Sequence, residues 1–163
     1  GEPGGLLQAA EVMSVADRLA ELGLTLPAVP PPVAAYVPVV RSGSMIYTSG
    51  QLPFVEGSLL AAGIVGAQVS PDEAVACARQ CALNALAAVA SAAGDLENVR
   101  IVKVVGFVAS TAEFTGQPQV VNGASELIGE LLGERGVHAR SAVGVAQLPL
   151  GAPVEVEVIA EVL

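Results

Sequence analysis

The sequence predicts an α+β fold, two helices packed on one face of a mixed β-sheet, and three observations carry that reading. Two segments, Ser70 to Gly94 and Pro118 to Gly133, repeat apolar residues at helical spacing. Between them Val99 to Ala109 is rich in valine and isoleucine, the composition of a strand. After them HARSAVGVAQLPLGAPVEVE, His138 to Glu157, alternates with period 2 on both sides of a Pro-Leu-Gly-Ala turn. The order becomes hairpin, helix, strand, helix, hairpin. Its central strand–helix–strand is a crossover that sets one parallel pair in an otherwise antiparallel sheet.

Residues 1–12 lack the basic start and long apolar stretch of a signal peptide, and Met13-Ser14 reads as a start. A leader over 1–12 followed by one domain over 13–163, located in the cytoplasm, is the expectation. Ser14 to Leu22 forms a short helix, with Ser14 as its cap, Val15, Leu19 and Leu22 on one face, and Gly23 at its end. The prolines of TLPAVPPPVAA, residues 25–35, block helix and sheet and make an extended tether. Tyr36 to Arg41 and Met45 to Ser49 then read as a hairpin about Ser42-Gly43. The glycine-punctuated stretch from Gly50 to Gly66 is a loop with a short edge strand near Leu59-Leu60.

Ser70-Pro71-Asp72-Glu73 starts the clearest helix, combining a serine cap, a first-turn proline and a glutamate three residues on. Its stripe of Ala74, Ala78, Cys81, Ala82, Ala85, Leu86 and Val89 is slim enough to lie close on a sheet. The second helix has Val120, Val121, Ala124, Leu127, Ile128 and Leu131 as its apolar face.

Composition narrows the function classes. Apolar residues make up 53% of the chain and charged ones 14%, which fits a folded domain with part of its surface covered by partner subunits. The net charge of −9, with a single lysine (Lys103) and no basic run, disfavours nucleic-acid binding. The longest near-apolar run, Ala85 to Ala93, is short for a membrane span of about 20 residues. Cys77 and Cys81, four apart on one helix face, read as buried thiols rather than a disulfide. With His138 as the one histidine, neither a metal site nor a cofactor is expected.

A two-residue turn at Leu150-Gly151 in the last hairpin would pair Val145 with Val156 and Ala146 with Glu155. Arg140, Ala142, Gly144 and Ala146 would then share a face with Glu155, Glu157, Ile159 and Glu161. Val143, Val145, Val154, Val156 and Val158 would form the core face. A three-residue loop would reverse the facing of one strand relative to the other.

These residues also carry a family pattern. Arg140-Ser141, Leu148-Pro149, Val154-Glu155-Val156-Glu157 and Ile159-Ala160 are joined by Thr48-Ser49-Gly50-Gln51-Leu52-Pro53, by Asn122 and by Tyr36. In these, the chain from Tyr36 to its end resembles the RidA (YjgF) family. The resemblance implies a ferredoxin-like fold of the chorismate-mutase type and a homotrimer with clefts between subunits. The implied activity is hydrolysis of enamine or imine acids such as 2-aminoacrylate to a 2-keto acid and ammonia. By position Arg140 matches the family's carboxylate-binding arginine and Glu155 the carboxylate associated with the reacting water. Tyr36, Ser49 and Gly50 match cleft walls, with Asn122 in the second helix. The chain departs from the family at Ala34-Ala35, where Gly-Pro is usual, and at Ala142, often cysteine. Its longer tether and altered loop after Pro53 also surround the cleft.

Each residue has a plainer alternative. Arg140 either grips a substrate carboxylate, in bonds of roughly 1.5–3 kcal/mol each, or pairs with Glu155 or Glu157 across the hairpin. Glu155 either activates water or is a solvated strand residue, the reading given to Glu157 and Glu161. Tyr36 either lines a cleft or plugs the core, and Asn122 suits a helix-to-loop hydrogen bond. Ser49-Gly50-Gln51 suits a ligand wall or an ordinary strand end. His138 lies in the loop before the strand with no serine or cysteine nucleophile evident beside it, so a catalytic dyad is not expected. Two further readings stand beside deaminase: a non-catalytic trimer binding a small carboxylate, and an endoribonuclease, which the acidic charge disfavours.

Overall fold

The computed structural model of the chain describes residues 13–30 and 35–163, so the leader expected over 1–12 and residues 31–34 of the tether lie outside the described residues. Helix α1 spans Val15–Glu21, and the Ser14 hydroxyl accepts from the Asp17 N–H at 3.0 Å, as its sequence foretold. The Glu97 carboxylate, 82 residues away, accepts from Val15 N at 3.1 Å and Ala16 N at 3.2 Å. A negative charge on the free N–H groups of the first turn satisfies donors that the helix cannot, and pins α1 to the domain.

Strands β1 (Val39–Ser42) and β2 (Met45–Thr48) form the first hairpin, with Ser42 opposite Met45 and Gly43 in the left-handed region the turn requires. β3 (Phe54–Val55) and β4 (Ser58–Leu59) make a small hairpin of their own, not an edge of the main sheet. Helix α2 spans Pro71–Ala93, with Ser70 Oγ accepting from Glu73 N, and helix α3 spans Gln117–Leu132. Strands β5 (Val99–Ala109), β6 (Ala139–Val145) and β7 (Val154–Val162) complete a five-stranded sheet of order β1-β2-β7-β5-β6. β5 and β6 run parallel through the α3 crossover, and the other neighbours are antiparallel. Both helices lie on one face, so this is the expected α+β, chorismate-mutase-like fold.

The last hairpin does not form. β5 lies between β6 and β7: Val104 pairs with Arg140 on one side and Val158 on the other. The crossover delivers β6 to one edge of β5, and the residues after Val145 pass by a 3₁₀ turn at Pro149–Gly151 to bring β7 to the other edge. Paired residues share a face. Arg140, Ala142 and Gly144 therefore face the helices with Val154, Val156 and Val158, while Val143 shares the open face with Phe107 and Glu155. The alternation along each strand was right; the facing of one strand relative to the other was reversed, because no tight turn joins them.

α2 is long and apolar enough to cross a membrane, yet its face from Ala74 to Val89 is buried in the core. Cys77 and Cys81 are buried free thiols; burial, then Glu73, pushes Cys77 up to about 11. Small residues bring the layers together. A Cβ on Gly106 of β5 would meet the Val121 side chain of α3, and one on Gly123 of α3 would collide with the Val75 carbonyl of α2. Gly123→Ala is expected to lower stability by up to about 2 kcal/mol. The overpacking cost of roughly 1–3 kcal/mol exceeds the ~1 kcal/mol that alanine gains in a helix. Thermal unfolding, at about 2–4 °C per kcal/mol, measures this, and an unchanged midpoint would show slack between the helices. Glu97→Ala is expected to speed proteolysis between Leu22 and Pro30, because α1 loses its anchor by about 0.5–2 kcal/mol.

Candidate functional site

Within one chain the candidate residues form two groups. β1 and β6 are the two edges of the sheet, four strand spacings or roughly 19 Å apart. Tyr36, Ser49, Gly50 and Glu155 gather toward β1, β2 and β7, whereas Arg140 and Asn122 sit where β6 meets α3.

Glu155 lies on the open face near the start of β7, in one row with Phe107 and Val143. Pairing between β2 and β7 ends at Tyr47–Ile159: the Thr48 hydroxyl takes the Val158 N–H at 3.0 Å, and a single isolated bridge follows, in which Gln51 exchanges both backbone bonds with Val156. This irregularity lays Gly50 directly over the Glu155 carboxylate, where a Cβ would collide with Oε1. Half-burial raises the Glu155 carboxyl above the ordinary carboxylate range, and neighbouring Glu157 raises it further. Ser49 Oγ donates to the Val37 carbonyl at 2.6 Å and Ser49 N to Pro38 O at 2.8 Å, tying down the chain beside Tyr36. Tyr36 itself is 67% exposed, so it is not a core plug.

Arg140 faces the helices from the sheet edge. Its Nη1 donates to Asn122 Oδ1 at 2.8 Å and to Ser125 Oγ at 3.2 Å, and its Nη2 to the Pro118 carbonyl at 3.3 Å. The hairpin salt bridge to Glu155 or Glu157 is not made, since those carboxylates lie on the opposite face; the ion pair among the described residues is Arg79–Glu130. Asn122 bonds from helix to strand rather than from helix to loop. Three polar partners of α3 hold a guanidinium that no carboxylate neutralises among the described residues, an arrangement chemically able to take an anion.

Sequence reasoning missed Ser125 and the setting of His138. Ser125 Oγ lies 2.9 Å from His138 Nε2, and His138 Nδ1 lies 2.6 Å from the Gly136 carbonyl. The signal was available: Ser125 follows Asn122 by three residues on one helix face. A cavity of about 650 Å³ between Pro27–Pro30, Leu52, Phe54 and Asn84 adjoins neither Arg140 nor Glu155. Among the described residues no cluster of three His, Cys, Asp or Glu side chains could hold a metal.

The family profile described as endoribonuclease L-PSP matches residues 27–162. The chain is 47% identical over 149 residues to Protein TCP17 of Trypanosoma cruzi, covering 90% of this chain and 93% of that one. It is 48% identical to the Agrobacterium tumefaciens protein Atu1372, a crystal structure of unknown function, with a TM-score of 0.84 over 91% of this chain and 93% of that one. The crystal structure of E. coli TdcF with bound serine is 27% identical, with a TM-score of 0.62 over 82% of this chain and 92% of that one.

The raised Glu155 carboxyl has a signed consequence. A group that binds its proton more tightly folded than unfolded favours the fold at low pH, and this contribution is lost as pH rises through the folded value. Glu155→Gln is therefore expected to raise the unfolding midpoint at neutral pH. The gain should vanish as pH falls below the carboxylate range. An equal gain at every pH would show that the carboxyl is not perturbed.

Proposed function

The chain belongs to the endoribonuclease L-PSP family, also known as YjgF or RidA, and we propose that it hydrolyses small imine and enamine acids of the 2-aminoacrylate type to 2-keto acids and ammonia. The reaction would take place in clefts between the subunits of a homotrimer. The observation that carries this reading is the division of the site. An un-neutralised Arg140 on the β6 edge and a half-buried Glu155 on the open face lie too far around the sheet to act together in one chain. A second copy whose β6 edge meets the open face of the first would bring them to one substrate. The open face suits such contact, with Val40, Tyr47 and Val143 exposed on it.

Arg140 holds the substrate carboxylate. An enamine first takes a proton at its β-carbon to become the iminium ion, the same species that an imine forms on protonation. Water then adds to the iminium carbon: the new C–O bond forms, the C=N π electrons move to nitrogen, and one water proton passes to Glu155. Glu155 returns that proton to the amine nitrogen, and collapse of this carbinolamine forms the C=O bond as the C–N bond breaks; ammonia leaves and takes up the hydroxyl proton as ammonium. A carboxylate whose proton affinity is raised is a better base for the addition step than an ordinary one. Serine in TdcF supports a ligand of amino-acid size.

A non-catalytic trimer that binds a small carboxylate is the second reading. Ala142 where the family often has cysteine, together with Ala34-Ala35, favours it. The endoribonuclease named in the family's description fits poorly with a net charge of −9. The test measures keto-acid and ammonia release from an imine generated in situ by an amino-acid oxidase. Arg140→Ala should lower kcat/KM by roughly 100-fold, the loss of a bidentate charge-assisted contact. Wild type no faster than the enzyme-free rate would sink the deaminase reading, and ligand-induced thermal stabilisation without turnover would establish the binding one.

A further inference from the structure

We infer that His138 and Ser125 form a positioning pair for Arg140, holding its guanidinium through a hydrogen-bond chain whose direction is set by the imidazole tautomer. Its consequence for ligand affinity rests on the proposed carboxylate role of Arg140; the chain itself stands on geometry.

The direction follows from the partners. The Gly136 carbonyl can only accept, so the Nδ1 atom 2.6 Å from it carries a hydrogen. The neutral ring then offers Nε2 as an acceptor, and Ser125 Oγ, 2.9 Å away, donates its one hydrogen there. With its proton turned to the imidazole, the hydroxyl presents lone pairs to Arg140 Nη1 at 3.2 Å. The other Nη1 hydrogen goes to Asn122 Oδ1 at 2.8 Å, and one Nη2 hydrogen to Pro118 O at 3.3 Å. The Nε–H and the second Nη2–H have no protein partner among the described residues, and two donors on a planar fork are what a carboxylate takes.

His138 thus keeps the Ser125 proton away from the guanidinium. Without that acceptor the hydroxyl hydrogen is free to swing toward Arg140, turning an acceptor into a competing donor. Arg140 sits on an edge strand, and an arginine side chain carries about 2 kcal/mol of rotamer entropy. Fixing it before the ligand arrives raises affinity by preorganisation. The pair is not arranged as a nucleophilic dyad. The Ser125 oxygen faces a cation, and Nδ1 faces a backbone carbonyl rather than an orienting carboxylate.

Because the chain has one histidine, ¹⁵N-labelled histidine reports this ring alone. At pH 8 the full chain is expected to show a protonated Nδ1 and a bare Nε2, with the Nε2 resonance moved by Ser125→Ala. In calorimetric titration with pyruvate, His138→Ala and Ser125→Ala should each weaken binding roughly three- to tenfold, as for loss of one hydrogen bond. His138→Gln, whose amide oxygen can accept from Ser125, should restore most of the affinity. In turnover the alanine variants should raise KM with little change in kcat. An Nε2–H tautomer, unchanged affinity in both alanine variants, or labelling of Ser125 by a serine-directed phosphonate overturns the inference. If Arg140→Ala abolishes binding while the two alanine variants do not weaken it, the positioning inference fails and the proposed function stands. If wild type and Arg140→Ala bind pyruvate equally, the carboxylate role fails instead, and the tautomer with its Ser125 dependence still decides the chain.

Discussion

Parallel pairing between β5 and β6 constrains the rest of the molecule. Parallel neighbours cannot be joined by a tight turn, so a helix must carry the chain back, and α3 does so across the sheet. Once β6 occupies one side of β5, the antiparallel β7 can reach β5 only from the other side, where it also meets β2. The candidate site inherits that arrangement. It puts Arg140 on an edge under α3, within reach of Asn122 and Ser125, and it puts Glu155 in the interior of the sheet on the face that no helix covers.

The two faces do different physical work. The helix side is a dry layer in which glycine and alanine replace larger residues so that α2, α3 and the sheet approach closely; Gly123 under the Val75 carbonyl and Gly106 under Val121 mark the closest points. The open side mixes Tyr47, Phe107, Val143 and Ile159 with Lys103, Glu155 and Glu157, and neither carboxylate has an ion-pair partner among the described residues. Gly50 presses on Glu155 there without offering it a charge. That is why its carboxyl is raised, by lost water first and by Glu157 second.

Much of this was legible in the residues. Ser70-Pro71 and Glu73 fixed the start of α2, since a serine oxygen satisfies a free helix N–H and proline needs none. The Val99–Ala109 run and the stripe from Val120 to Leu131 marked β5 and α3 within a residue or two. What failed was the relation between the last two strands. A Pro-Leu-Gly-Ala segment between alternating runs looks local, and nothing in it says that a third strand will slide between them. The same blindness hid Ser125 from His138: thirteen residues and a 3₁₀ turn separate them in sequence, and only the crossover folds one onto the other.

By itself the sequence determined the elements, their caps, the parallel crossover and the identity of the charged residues, because these depend on short-range periodicity and on side-chain chemistry. Only the tertiary structure decided that Arg140 faces the helices while Glu155 faces outward, that Gly50 rather than Arg140 adjoins Glu155, and that Arg140 is held by Asn122, Ser125 and Pro118. The reason is the pleat. Its period of two assigns faces within a strand from sequence alone, but the facing of one strand relative to another is set by which strands are neighbours, and β5 between β6 and β7 settles that.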